Sequence, residues 1–146
     1  MIEIRKIEPE LTYNIRHSVL RPHQTLEDCK YETDHEDGAF HVGAFYQRKL
    51  ISIGSFCIEK NPDFQTEMQY RLRGMATLES FRKLGAGSSL ISYAEDSIKG
   101  QGFDLLWCKG RTTVQGYYSK LGFEVHGKVF DYPPIGPHII MVKQLK

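Results

Sequence analysis

Between residues 82 and 88 the chain reads Arg82-Lys83-Leu84-Gly85-Ala86-Gly87-Ser88 and then runs into apolar residues with helical spacing. Two glycines one residue apart let a backbone come close to a ligand. The first free N–H groups of a helix, at the positive end of its dipole, attract an anion there. Arg82 and Lys83 set two cations beside that point. In physical outline this is a pyrophosphate seat. A Walker-type loop would close on Gly-Lys-Ser/Thr, whereas Gly87 is followed by Ser88-Ser89, which argues against an ATPase. A dinucleotide fingerprint wants a third glycine where Leu90 stands, and an apolar strand before the loop where this chain has arginines. A plain helix start with two tight-turn glycines satisfies the same residues, so a second feature has to decide.

Arg71 and Arg73 sit two apart in a strand candidate and therefore share a face. Two guanidinium groups on a central strand are unusual unless paired or turned toward a cleft. One role is a bidentate grip on the carboxylate of a bound molecule; solvated or salt-bridged arginines are the equal alternative. His138 follows a proline-rich stretch at the head of the last strand candidate, and an imidazole suits proton abstraction near neutrality. A structural hydrogen bond at a strand end explains it as well. The other histidines, at 17, 23, 35, 41 and 126, lack the close spacing of a metal site, and no metal is expected.

These residues need a frame. Residues 2–7 read as an opening strand, and Leu11, Ile15, Ser18 and Val19 fall on one helix face that Arg21-Pro22 closes. Residues 25–37 are polar and read as surface, with a short helix from Leu26. Phe40–Tyr46 and Leu50–Ile58 form a hairpin across Gln47-Arg48-Lys49, and Met68, Tyr70 and Leu72 alternate along a third long strand. After the glycine turn, Leu90, Ile91, Ala94 and Ile98 mark a helix that Gly100 stops. Leu105–Cys108 is a strand, Thr113–Lys120 a helix and Gly122–Val125 the start of another strand. The segment Asp131–Pro137 holds three prolines and is expected to be irregular. Strands first and strand–helix units after predict one mixed α/β domain over residues 1–146.

Composition narrows the partners. A formal net charge of +1 gives no cationic field for a polyanion, so nucleic acid is not an expected partner. No apolar run approaches membrane-spanning length, the N-terminus alternates charged and apolar residues, and a cytoplasmic home is expected. Cys29, Cys57 and Cys108 are odd in number and far apart, which reads as three reduced thiols.

The stretch Met75-Ala76-Thr77-Leu78-Glu79-Ser80-Phe81-Arg82-Lys83-Leu84-Gly85-Ala86-Gly87 resembles the acetyl-CoA-binding motif of the GNAT superfamily of N-acetyltransferases, whose core is Gln/Arg-x-x-Gly-x-Gly/Ala. Arg82, Gly85 and Gly87 match that core. Thr113–Phe123, with an aromatic pair followed by Leu-Gly-Phe, is similar to the superfamily's second motif. Detailed resemblance runs from Met68 to Phe123, and Pro137-His138-Ile139 is similar to an element of bacterial members.

The resemblance implies a strongly twisted, mixed, mainly antiparallel sheet of six to seven strands flanked by about four helices, with the fourth and fifth strands splayed around the pantetheine arm. It implies acetyl-CoA as co-substrate, held by the backbone amides of Met75, Ala76 and Thr77 and by Arg82, Lys83, Leu84, Gly85, Ala86, Gly87 and Ser88. It implies direct attack by a primary amine of a small molecule or peptide, with Tyr118 touching the cofactor and protonating the departing thiolate. Arg71 stands where members with a strand glutamate keep their base, so a water relay or His138 takes that part, with Glu67 and Glu79 as further candidates. Arg111 replaces an asparagine that contacts the pantetheine. An acyl-CoA-binding or sensing protein that has lost the base is the alternative. Oligomeric state is open, with a homodimer the frequent default.

Overall fold

The computed structural model describes residues 1–133 and 135–145. A single seven-stranded sheet runs in the order β1-β2-β3-β4-β5-β7-β6. Its strands are β1 (Ile2–Ile7), β2 (Phe40–Tyr46), β3 (Lys49–Ile58), β4 (Gln69–Thr77), β5 (Leu105–Arg111), β6 (Glu124–Tyr132) and β7 (Gly136–Gln144). Only β4 and β5 are parallel, and every other neighbouring pair is antiparallel. The α-helices are α1 (Tyr13–Ile15), α2 (Ala86–Gly100) and α3 (Gln115–Lys120). About four were expected. The first helical stretch is instead divided into a 3-10 turn (Pro9–Thr12), α1 and a π turn (Arg16–Leu20).

The two faces of the sheet are set by strand alternation. Tyr70 and Leu72 of β4 and Leu106 and Cys108 of β5 turn to one face, where Leu90, Ile91, Ala94 and Ile98 of α2 pack on them. Each such apolar side chain contributes on the order of 1.5–3 kcal/mol when fully buried, so that stripe fixes how α2 lies. Ile53 and Ala76 meet Ile15 in a second apolar cluster, against the N-terminal helical stretch. Arg71, Arg73 and Trp107 alternate with the α2-facing residues and therefore belong to the face away from α2.

Several boundaries depart from expectation for local reasons. Gly100 is the last helical residue, but the stop is Gly102 (φ +86°). Its N–H reaches Lys99 O at 2.9 Å while Phe103 N–H reaches Ile98 O at 3.2 Å, the paired bonds of a left-handed C-terminal cap. Lys49 already belongs to β3, and the hairpin turns on Gln47 and Arg48 alone, both with positive φ. The proline segment is far more regular than expected: β6 runs through Tyr132 and β7 begins at Gly136, with Asp131 opposite Pro137 at the end of the ladder. A proline is tolerated at a strand's beginning, where a missing donor costs least. Pro134 lies outside the described residues. Leu11, placed on the buried helix face by spacing, is 52% exposed. Cys29, Cys57 and Cys108 are all unpaired and buried.

Candidate active site

The parallel pair β4–β5 is joined only from Gln69 opposite Leu105 to Leu72 opposite Cys108. Beyond that, β4 continues to Thr77 and β5 to Arg111 without pairing each other, so the strands splay. At the point of divergence β4 also leaves its ladder with β3. Ser55 faces Arg73 but Ile53 faces Ala76, which inserts an extra residue at Gly74–Met75. Gly74 adopts φ +63°, a conformation that costs other residues strain. A bulge beside a site re-aims the backbone, and here it turns Met75, Ala76 and Thr77 along the wall of a cleft of about 750 Å³. Ser52 Oγ steadies that wall with bonds to Ala76 O (3.1 Å) and Thr77 Oγ1 (2.8 Å).

At one end of the cleft stands the start of α2. Gly85, the residue before the helix, has φ +81°, and no side chain caps the first turn, which leaves its N–H groups for a ligand. Arg82, Lys83, Gly85, Ala86, Gly87 and Ser88 line the cleft. Leu84 does not, and it is 48% exposed. Lys83 itself takes φ +71°, so the turn is wound tightly on both sides of Leu84. A Cβ on Gly87 would lie 3.0 Å from Met75 Cε and would collide with the Tyr117 hydroxyl. Only glycine lets Tyr117 and Met75 stand this close to the first turn of α2, and the uncapped amides, with Arg82 and Lys83 beside them, fit the diphosphate of an acyl-CoA.

Tyr117 and Tyr118, neighbours on α3, take different tasks. Tyr117 reaches across to Gly87 and thereby links the two sequence motifs, a contact that helical spacing alone does not disclose. Tyr118 is half-buried and lines the cleft. Its ring stands edge-on to Phe123 at 5.6 Å and flanks Gly110, where a Cβ would sit 3.4 Å from it. Burial, and then Cys108 and Tyr117, push its phenol well above the ordinary value, against a lowering by Arg111. It therefore holds its proton at neutral pH.

His138 also lines the cleft and is 3% exposed. Its Nδ1 donates to Gly136 O at 2.9 Å, which fixes the tautomer and leaves the Nε2 lone pair free to accept a proton. Tyr132 stands edge-on to it at 4.8 Å. Glu67 and Glu79 are not among the lining residues, and Glu67 is taken by Lys60 at 2.9 Å.

Arg71 and Arg73 both line the cleft, and both are also ion-paired. Arg71 Nη1 donates to Glu59 at 3.0 and 3.2 Å, and its guanidinium lies 5.0 Å from the Trp107 ring centroid. Arg73 reaches Glu32 at 3.5 Å and stands over Tyr31 at 4.5 Å. Arg111 lines the cleft, but its Nη2 donates to Leu20 O at 2.7 Å, tying the end of β5 to the first helical stretch.

Behind Tyr31 lies a network that the sequence did not disclose. Arg16 is fully buried and grips both oxygens of Asp34 at 2.8 and 2.9 Å, Cys29 O at 2.8 Å and Ser55 Oγ at 2.7 Å. Its guanidinium stacks 3.9 Å from the Tyr31 ring. Residues 25–37, expected at the surface, are pinned to the sheet through this ion pair, with Cys29 and Asp34 buried.

A splayed parallel pair, a bulge at the split and an uncapped glycine-turn helix define an acyltransferase that works on acyl-CoA thioesters. The chain belongs to the acetyltransferase (GNAT) family, whose model matches residues 3–123. It is 50% identical over 146 residues to the uncharacterized N-acetyltransferase YitI of Bacillus subtilis, covering 100% of this chain and 98% of that protein. In fold it is similar to an aminoglycoside 6'-N-acetyltransferase solved with coenzyme A (TM-score 0.79, 15% identity, 99% and 97% of the two chains). The ribosomal-protein-S18-alanine N-acetyltransferase of Escherichia coli shares the fold as well (TM-score 0.76, 15% identity, 100% and 95%).

Proposed function

We propose that the enzyme transfers an acetyl group from acetyl-CoA to a primary amine of a small molecule or peptide, by direct attack with both substrates bound. The observation that carries this reading is the continuous cleft joining the uncapped start of α2 to Tyr118 and His138 through the gap between β4 and β5. Acetyl-CoA supplies the acyl group as a thioester. Arg82, Lys83 and the amides from Gly85 to Ser88 hold its diphosphate end, and Arg111 lies along the same channel. Backbone N–H groups at Met75, Ala76 and Thr77 serve as donors to the developing oxyanion, where prepositioned dipoles act without reorganising. His138 Nε2 takes a proton from the attacking amine, directly or through water, and Tyr118 gives one to the departing thiolate. The chain acts as a single acetyltransferase domain in the cytoplasm, and a homodimer is compatible with this reading.

Thiol release tests it. A panel of amines with acetyl-CoA should yield free CoA and N-acetyl product in equal amounts with at least one acceptor. Acetyl-CoA that raises the melting temperature but is never consumed would replace catalysis with acyl-CoA sensing.

A further inference from the structure

The two ends of the cleft differ in charge chemistry. None of its lining residues is Asp or Glu among the described residues. Arg82 and Lys83 belong to the glycine turn, while Arg21, Arg71, Arg73, Lys109, Arg111 and Lys120 line the remainder. The acids nearest these arginines, Glu59 and Glu32, lie outside the lining, and each engages one arginine. Arg71 is 6% exposed, yet only part of its guanidinium is matched: Nη1 serves Glu59, and Nε is buried without a partner. A buried cation so incompletely paired favours another anion beside it.

Two phenols in this cleft register the difference. Tyr118 is raised, by burial first. Burial also pulls Tyr132 upward, but a hydrogen bond from Arg71 and the charges of Arg71, Arg73 and Lys109 bring it below its ordinary value. Lys109 Nζ stands 5.2 Å from the Tyr132 ring centroid. The part of the cleft around Tyr132, with Arg71, Arg73 and Lys109 beside it, therefore stabilises negative charge.

We infer that the acceptor is a small amine bearing a carboxylate, held by Arg71, Arg73 and Lys109 beside Tyr132, with its amine directed to the gap between β4 and β5. This rests on the acetyl-transfer reading above. Guanidinium and carboxylate match as a bidentate pair. A polyamine would bring further positive charge against Arg71, Arg73 and Lys109, so the same residues select against it.

The test pairs each acid with its uncharged counterpart. 4-Aminobutyrate against n-butylamine, and free amino acids against their carboxamides, are compared by thiol release, with spermidine as the polycation. A peptide with an acidic residue next to its N-terminus is included, because it presents the same chemistry from a different source. Its kcat/KM relative to the free amino acids tells which source is used. The carboxylate member of each pair should show at least tenfold higher kcat/KM. Arg73→Gln should raise KM for the acid about tenfold without raising it for the uncharged amine, and Arg73→Lys should recover part of the loss. Equal rates within pairs, or spermidine as the best acceptor, would overturn the inference. Calorimetric titration of the same pairs into CoA-saturated protein reads it without turnover. A tenfold tighter acid with no thiol released would sustain this inference and remove the catalytic one, and equal affinities would remove this one.

Discussion

Tyr118 and Tyr117 show how little separates a side chain proposed as the thiolate's acid from a packing one. Both are phenols on the same short helix, one turned along Gly110 into the cleft wall and the other reaching over Gly87. A phenol whose pKa is raised by burial is a weak acid in isolation. A thiolate leaving into the same poorly solvated wall is destabilised by the same cause, so the proton transfer remains feasible. Tyr118→Phe keeps the edge contact with Phe123 and removes only the hydroxyl. It should lower kcat by roughly tenfold to 100-fold, at the lower end of or just below the usual contribution of a general acid, and leave the CoA dissociation constant within about twofold. Single-turnover kinetics beside a CoA titration separates the two quantities. A variant as fast as the parent would remove Tyr118 from the chemistry.

At the level of elements, the bulge where β4 parts from β5 is built on Gly74. Gly74 combines φ +63° with a crowded position, where a Cβ would stand 3.0 Å from Tyr31 Cε2 and 3.3 Å from Arg16 Nε. Gly74→Ala should therefore cost about 1–3 kcal/mol through the strained backbone and displace Tyr31 from the cleft. Chemical denaturation would show the stability loss, and acceptor KM should rise even at temperatures where the variant stays folded. The elements themselves are legible because their apolar residues repeat with the period of strand or helix: β2, β3 and α2 lie within a residue or two of their expected places, and β4 begins within one residue of Met68 but runs on past the alternating stretch to Thr77. The glycine turn was legible because backbone approach to an anion leaves a composition behind it. Gly74 was not read, although an isolated glycine inside a strand pattern is a bulge signal. Arg16 could not be read: it lies outside the face marked by Leu11, Ile15, Ser18 and Val19, and only the fold brings Asp34 and Ser55 to its guanidinium. The regular ends of β6 and β7 are not legible because prolines lack amide donors and so read as irregular, while at the edge of a ladder the missing donor costs little.

For the molecule as a whole, the same buried network makes stability depend on pH. His41 is 4% exposed, with Nδ1 bonded to Ser55 Oγ at 2.7 Å and Nε2 to Asp34 O at 3.0 Å. Burial, together with Arg16 and His35, holds its pKa below the ordinary value although Asp34 opposes this. Burial alone would raise Asp34, but the hydrogen bonds and charge of Arg16 bring it down, with Tyr31 N–H and His41 adding to that. The unfolded chain therefore binds a proton at position 41 from about pH 6.5 downward while the folded chain resists it. More protons on the unfolded state means that stability falls as pH falls. A second loss follows below about pH 4, where the unfolded Asp34 carboxyl protonates before the folded one. Urea midpoints should thus decline between pH 7 and pH 5, and His41→Gln should flatten that decline while leaving the loss below pH 4. Asp34→Ala, which strands Arg16 without its partner, should cost roughly 3–5 kcal/mol at pH 7 and abolish the second step. Because this pin carries Tyr31 to the part of the cleft proposed for the acceptor, acceptor KM should rise with acid before the global unfolding transition, whereas CoA affinity, proposed to be set at the start of α2, should not. Parallel weakening of both ligands would place the acid-sensitive element elsewhere.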